Sequence, residues 1–114
     1  VIGIFQRQRD AGELLTIVGD GSQRRDFIHV KDVARANYLA ATVPLKGHEG
    51  DVFNVGSGCP YSIQQIADLI SDNQTYIPKR SGEMKTTFAD ITKIDSMMGW
   101  KPEISVLEWI EDQL

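Results

Sequence analysis

The chain has 114 residues, 41% of them hydrophobic and 25% charged, with a formal net charge of -4. That length suits one domain with a modest core, and that composition excludes a disordered or low-complexity chain. The acidic balance offers no basic surface for nucleic acid or an anionic membrane, and no apolar run is long enough to span a bilayer. Residues 1–11 read as the tail of an amphipathic helix with Ile2 and Phe5 on one face, closed by Gly12. Val1-Ile2-Gly3-Ile4-Phe5 runs straight into Gln6, Arg7 and Arg9, which is not the pattern of a signal peptide. The apolar pattern is already under way at Val1 and still running at Leu114, so a fragment of a longer polypeptide is expected. The lone Cys59 cannot form an internal disulfide and fits a reducing cytoplasm.

Leu14-Leu15-Thr16-Ile17-Val18 is a β-prone run, and Gly19-Asp20-Gly21 after it signals a hairpin. The returning strand is expected over Arg24 to Val30. A helix follows from about Lys31 to Val43, with Val30, Val33, Ala34, Tyr38 and Ala41 as its apolar face and Pro44 as its stop. A polar loop, 46–50, leads to a strand over Asp51 to Val55. Ser62 caps the next helix with Gln65 completing a capping box, and Ile63, Ile66, Ala67 and Ile70 repeat at helical spacing. Thr75-Tyr76-Ile77 is a brief strand ended by Pro78, residues 79–83 form a charged turn, and 85–89 are extended. Asp90 is expected to cap a short helix ended by Gly99. Ser105 and Glu108 spell a second capping box, with Val106, Trp109, Ile110 and Leu114 as the buried stripe. Strands and helices mix without a strict βαβ rhythm, so the fold class is α+β, a single lobe over residues 1–114.

The stretch VFNVGSGCPYSIQQIADLI raises the question of a dinucleotide site, because a strand, Gly-x-Gly and a helix follow in order. The fingerprint needs a third small residue so that helix and strand can touch, and Tyr61 stands there. It also needs an acid at the end of the next strand, where this chain has Tyr76-Ile77-Pro78-Lys79. The turn at Gly56-Ser57-Gly58 therefore reads as a tight connection, not as a phosphate cradle. His29, His48 and Cys59 lack metal-ligand spacing, and the scattered carboxylates Asp10, Glu13, Asp20 and Asp26 do not mark an acid/base pair. Arg24-Arg25 and Lys79-Arg80 read first as solvated surface cations. If the two loops converged, their guanidiniums would suit a diphosphate.

The ordered motifs GDGSQRRDFIHVKDVARA, FNVGSG, a helix opening Ser-Ile, KRSGEMKTTFADITK and MMGWKPEIS cover almost the whole chain. Together they resemble the nucleotide-sugar epimerase/dehydratase family of extended short-chain dehydrogenase/reductase proteins, and most nearly its UDP-hexose 4-epimerases. The resemblance implies that residues 1–114 are the carboxy-terminal, substrate-binding lobe. It implies that NAD, the Rossmann domain with its glycine fingerprint, and the catalytic Tyr-x-x-x-Lys pair belong upstream, so that no catalytic or cofactor-binding residue lies here. Tyr38, Tyr61 and Tyr76 are followed four residues on by Thr42, Gln65 and Arg80, none of them lysine. Carried over, Arg25 and Arg80 are the two arginines on the nucleotide diphosphate, Glu83 accepts from the ribose, and Ile17-Val18 lie against the base. The family often has an aromatic residue where Val18 stands. Asp26 and His29 are motif residues with structural roles, bonding the hairpin to the helix after it. The implied partners are a UDP-sugar and the missing Rossmann domain, in a cytoplasmic homodimer. In such epimerases a hydride leaves the sugar for NAD and returns to the other face. A nucleotide-sugar 4,6-dehydratase or decarboxylase of the same family is the alternative enzyme, and a non-catalytic binding module the alternative of another kind. The fragment alone is expected to be inactive.

Overall fold

The computed structural model describes residues 1–114. Its elements in order are α1 (Ile2–Asp10), β1 (Leu15–Val18), β2 (Arg24–Arg25), α2 (Val30–Thr42), β3 (Tyr61–Ser62), α3 (Ile63–Ile70), β4 (Gln74–Ile77), α4 (Thr92–Met98) and α5 (Val106–Gln113). The α+β class expected from the sequence is the one observed, and no doubly wound parallel sheet is present among these residues.

The expected hairpin does not form. β1 pairs in parallel with β4, Leu15 opposite Gln74 through Val18 opposite Ile77, while β2 pairs antiparallel with β3. The Asp-Gly turn still bends the chain, because Asp20 accepts from the Ser22 amide at 2.9 Å and from its hydroxyl at 2.6 Å. The decision is made by burial: Leu15 and Ile17 are fully buried, and pairing with β4 lays them on α3. The second strand shrinks to two residues, and no strand forms over 51–55.

The main core joins Phe5 of α1, Leu15 and Ile17 of β1, Ile63, Ile66, Ala67 and Ile70 of α3, and Ile110 of α5. α3 holds its place because its sequence agrees at every level. Ser62 accepts from the Gln65 amide, Gln65 accepts from the Ser62 amide at 2.8 Å, and its apolar stripe is wholly buried. Each buried isoleucine there contributes about 1.5–3 kcal/mol. Other caps differ from expectation. Asp90 accepts from Thr92, but it stands one residue before the N-cap of α4, which is Ile91. Ser105 caps α5 through the Leu107 amide, without the reciprocal Glu108 bond, and Leu114 is exposed.

A second, smaller core gathers Ala36, Ile94, Met98 and Trp100. α2 meets it with a face the apolar periodicity does not mark. Its buried residues are Asp32 and Ala36, while Val30 is 73% and Tyr38 67% exposed. Asp32 is buried because it has donors: its carboxylate accepts from the Glu103 amide at 3.1 Å and the Ile104 amide at 3.0 Å. Its main-chain carbonyl accepts from the Trp100 indole at 3.0 Å, and Arg35 lies over the Trp100 ring and donates to the Lys101 carbonyl. One carboxylate thus seats the linker between α4 and α5.

Only 15 of 114 residues are buried, and the radius of gyration is 16.9 Å. A compact chain of this length has about 13 Å. Residues 52–56 carry no backbone-to-backbone hydrogen bond, and Val52 is 80% exposed. The lobe is a slab, 52 × 32 × 16 Å, with apolar side chains left on its faces.

Replacing Asp32 by Ala is expected to cost about 3 kcal/mol, since buried amides lose a charged acceptor. Thermal unfolding beside an exposed control, Asp72→Ala, measures it. Equal small losses would show that the linker does not depend on the carboxylate.

Candidate functional site

Because β1 and β4 run in parallel, their carboxyl ends lie side by side, with the Gly19 amide donating to the Ile77 carbonyl at 2.8 Å. The chain after β1 and the chain after β4 therefore leave from one edge, the place where parallel strands commonly present ligand-binding loops. Arg25 follows β1 on β2, and Arg80 follows β4 in the next turn. A further link closes the site. The Arg24 amide donates to the Lys85 carbonyl at 2.7 Å, and the Thr87 amide donates to the Arg24 carbonyl at 3.1 Å. Arg24 and Thr86 form a parallel bridge. Residues 85–87 thus run beside β2, which confirms the extended reading and carries Glu83 up to Arg25.

One cavity of about 390 Å³ is lined by Val18, Gln23, Arg25, Arg80 and Glu83 among others. Four of the five residues singled out in the sequence meet there. The fifth, Ile17, does not: its side chain is fully buried in the main core, turned away by the strand alternation that brings Val18 outward. An Ile17 side chain in that position packs the core and does not face the cavity. Arg25 Nη2 stands 3.4 Å from Glu83 Oε1, and its Nη1 donates to the Arg24 carbonyl at 2.8 Å. Arg25 and Glu83 are each about a quarter exposed, and Arg80 is exposed. A neighbouring cavity of about 420 Å³ shares Val18, Gln23 and Glu83 as its wall and adds Asp20, Ser22, Lys79, Met84 and Lys85. Ser22 donors hold the Asp20 carboxyl below its ordinary pKa, its hydroxyl contributing most. Gln23 escaped the sequence reading. Its amide donates to the Val18 carbonyl at 2.9 Å, and its own carbonyl takes the Ile63 amide at 3.0 Å, so it ties the cavity wall to α3. Only its position between the two glycines and Arg25 hints at this.

The Gly56-Ser57-Gly58 turn is a nest of amides, and its occupant is a side chain of the same chain. Asp26 Oδ1 accepts from the Ser57 amide at 2.7 Å and the Ser57 hydroxyl at 2.6 Å. Its Oδ2 accepts from the Gly58 amide at 3.0 Å and the Ala89 amide at 2.9 Å. Gly56 is required by space: a Cβ there would stand 2.6 Å from the Ala89 Cβ and 2.8 Å from Asp26 Oδ2. Gly58 adopts φ +69°, which turns the chain back. The nest is filled, Tyr61 blocks the third glycine position, and no acid ends β4. These residues do not fit a dinucleotide. His29 is the N-cap of α2, accepting from the Lys31 amide at 3.1 Å. It is a structural residue, as expected, though its partner is its own helix.

The geometry defines a class: an α+β lobe with a cationic cleft at the carboxyl edge of a parallel strand pair. The match to known proteins narrows it. Residues 1–56 match the model of the NAD dependent epimerase/dehydratase family. A putative UDP-glucose 4-epimerase of Methanocaldococcus jannaschii is 35% identical over 97% of this chain and 36% of its own length. A UDP-glucose 4-epimerase of Thermotoga maritima, solved with UDP-glucose, superposes at a TM-score of 0.85 with 32% identity, covering 96% of this chain and 36% of that one. A dTDP-glucose 4,6-dehydratase of Haemophilus influenzae is 30% identical over 82% of this chain and 32% of its own length. The chain belongs to the NAD dependent epimerase/dehydratase family. It spans about a third of the length of the relatives it matches.

The Asp26 knot has a pH signature. Burial opposes ionisation more than any other single influence. The donors from Ala89, Ser57 and Gly58 together outweigh it, and the carboxyl sits below its ordinary pKa. A lowered folded pKa gives stability that is complete above the unfolded value of about 3.9 and is lost as pH falls through the folded one. Asp26→Asn is expected to cost about 1–2 kcal/mol at neutral pH. It should also flatten the loss of melting temperature as pH falls from about 5 to about 2. An unchanged acid limb in the variant would mean that the knot does not titrate with Asp26.

Proposed function

We propose that this lobe binds the nucleotide half of a UDP-sugar for an NAD-dependent nucleotide-sugar 4-epimerase. The observation that carries the reading is that Arg25 of β2 meets Arg80 and Glu83, from the turn after β4, in one cleft. Two guanidiniums beside one cavity suit the two charges of a diphosphate. Glu83 is the acceptor for a ribose hydroxyl, and Val18 the apolar wall for the base. The relatives' names support a UDP-hexose as the sugar nucleotide. The lobe's part is positional. Holding diphosphate and nucleoside leaves the hexose outside the grip, so binding energy spent here places the reacting carbon without touching it. The redox chemistry falls to NAD on a separate domain. The low burial, the absence of backbone pairing over residues 52–56 and the exposed Val30 and Tyr38 support a covering partner, and we assign that role to the cofactor domain of the same enzyme. By itself the lobe would then be inactive.

Charge reversal at Arg80 tests the grip. In the enzyme with its cofactor domain, Arg80→Glu is expected to weaken UDP-glucose binding about a hundredfold at low salt, and less as salt rises. Calorimetry at two ionic strengths reads it. Equal affinity in the variant would sink the assignment. Product analysis on the same preparation separates epimerisation from dehydration.

A further inference from the structure

The two-stranded β1/β4 sheet has two outer edges, and the chain treats them differently. Parallel strands turn only alternate residues toward each other. The Leu15 and Gly19 amides donate to the Asn73 and Ile77 carbonyls, so Thr16 and Val18 face one outer edge and Gln74 and Tyr76 the other. On the β1 edge the Thr16 amide donates to the Gln8 side chain at 3.1 Å, and the Val18 carbonyl accepts from Gln23 at 2.9 Å. On the β4 edge no hydrogen bond reaches the main chain of Gln74 or Tyr76. Two amides and two carbonyls stand open there. Both side chains are tied to α3: the Tyr76 hydroxyl donates to Gln64 at 2.7 Å, and the Gln74 side-chain amide donates to Asp68 at 2.9 Å. The edge is held in place, and no proline or lysine within Gln74–Ile77 guards it.

We propose that a second copy of this chain docks on that edge, its β4 antiparallel to the first about a two-fold axis at Thr75, so that the two pairs make one four-stranded sheet. The pattern of open groups selects this occupant. Identical strands related by such an axis run antiparallel. With the axis at Thr75, Gln74 of each copy stands opposite Tyr76 of the other, and each such pair exchanges both of its main-chain bonds. All the open groups of both edges are then used. An axis at Tyr76 would instead set Gln74 opposite Pro78, which has no amide to give. Charge agrees with the same order. Asp68 and Asp72 stand exposed before the strand, and Lys79 and Arg80 stand exposed after it. Antiparallel docking carries the acidic entry of each strand toward the basic exit of the other, whereas a parallel partner would set like charges together.

Cysteine pairing in the enzyme with its cofactor domain tests both the edge and the register, with Cys59→Ser removing the native thiol. At the axis the two Thr75 Cα atoms would stand about 4.5 Å apart, within the reach of a disulfide. Thr75→Cys is therefore expected to join two copies under mild oxidation, while Asn73→Cys, opposite Ile77 of the second copy, is not. Thr75→Lys sets like charges face to face on the axis. Sedimentation velocity is expected to read about half the wild-type mass for it, with circular dichroism unchanged. Tyr76→Pro removes an open amide that β1 does not use, and it should halve the mass in the same way, which keeps the test decisive if the lysine variant misfolds. A wild-type mass equal to that of the folded variants would overturn the proposal, whether the edge is then bare or covered by the cofactor domain. No disulfide at residue 75, or equal cross-linking at 73 and 75, would overturn it as well.

Discussion

One carboxylate holds three segments of this lobe in register. Asp26 takes donors from the Ser57-Gly58 turn and from Ala89, and so joins the end of β2, the turn before β3 and the strand-like run 85–89. That knot adds to the Arg24 backbone bonds that lay residues 85–87 along β2 and bring Glu83 beside Arg25. The arrangement works because a carboxylate with four donors repays its burial, and because Gly56 has no side chain to stand in the way. A second carboxylate, Asp32, does the same for the linker to α5. Both acids are in the Arg-Asp-Phe to Val-Lys-Asp run, so one short stretch of sequence organises both halves of the slab.

The cleft depends on this scaffold and on the parallel β1/β4 pair. Strands that run together end together, and the loops that follow them share an edge. Val18, Arg25 and the Arg80–Glu83 turn come to that edge from three places in the chain.

Local features were legible and long-range ones were not. The α3 capping box and isoleucine stripe could be read directly, because both are settled within eight residues. The hairpin could not. Asp-Gly is a local turn signal, and the burial of Leu15 and Ile17 against α3 overrode the pairing it implied. The α2 face was misread because apolar periodicity does not count a carboxylate as core, yet Asp32 is the buried residue there while Val30 and Tyr38 face outward. The arginines taken alone looked like ordinary surface cations. Their meeting became legible only through motif order, which is a record of tertiary contact. The same motif order placed Ile17 against a base, where strand alternation puts it in the core. Gln23 and the role of Asp26 as the occupant of a glycine nest left no local sign.

The central claim is that Arg25 and Arg80 act together on one diphosphate. Side-chain NMR of the arginine Nε–Hε groups during a UDP titration tests it most directly, in the enzyme with its cofactor domain. The account predicts that the Arg25 and Arg80 signals shift together, with one binding constant, while those of Arg9 and Arg35, paired elsewhere in the lobe, stay in place. Shifts confined to one of the two, or spread equally over all four, would contradict it.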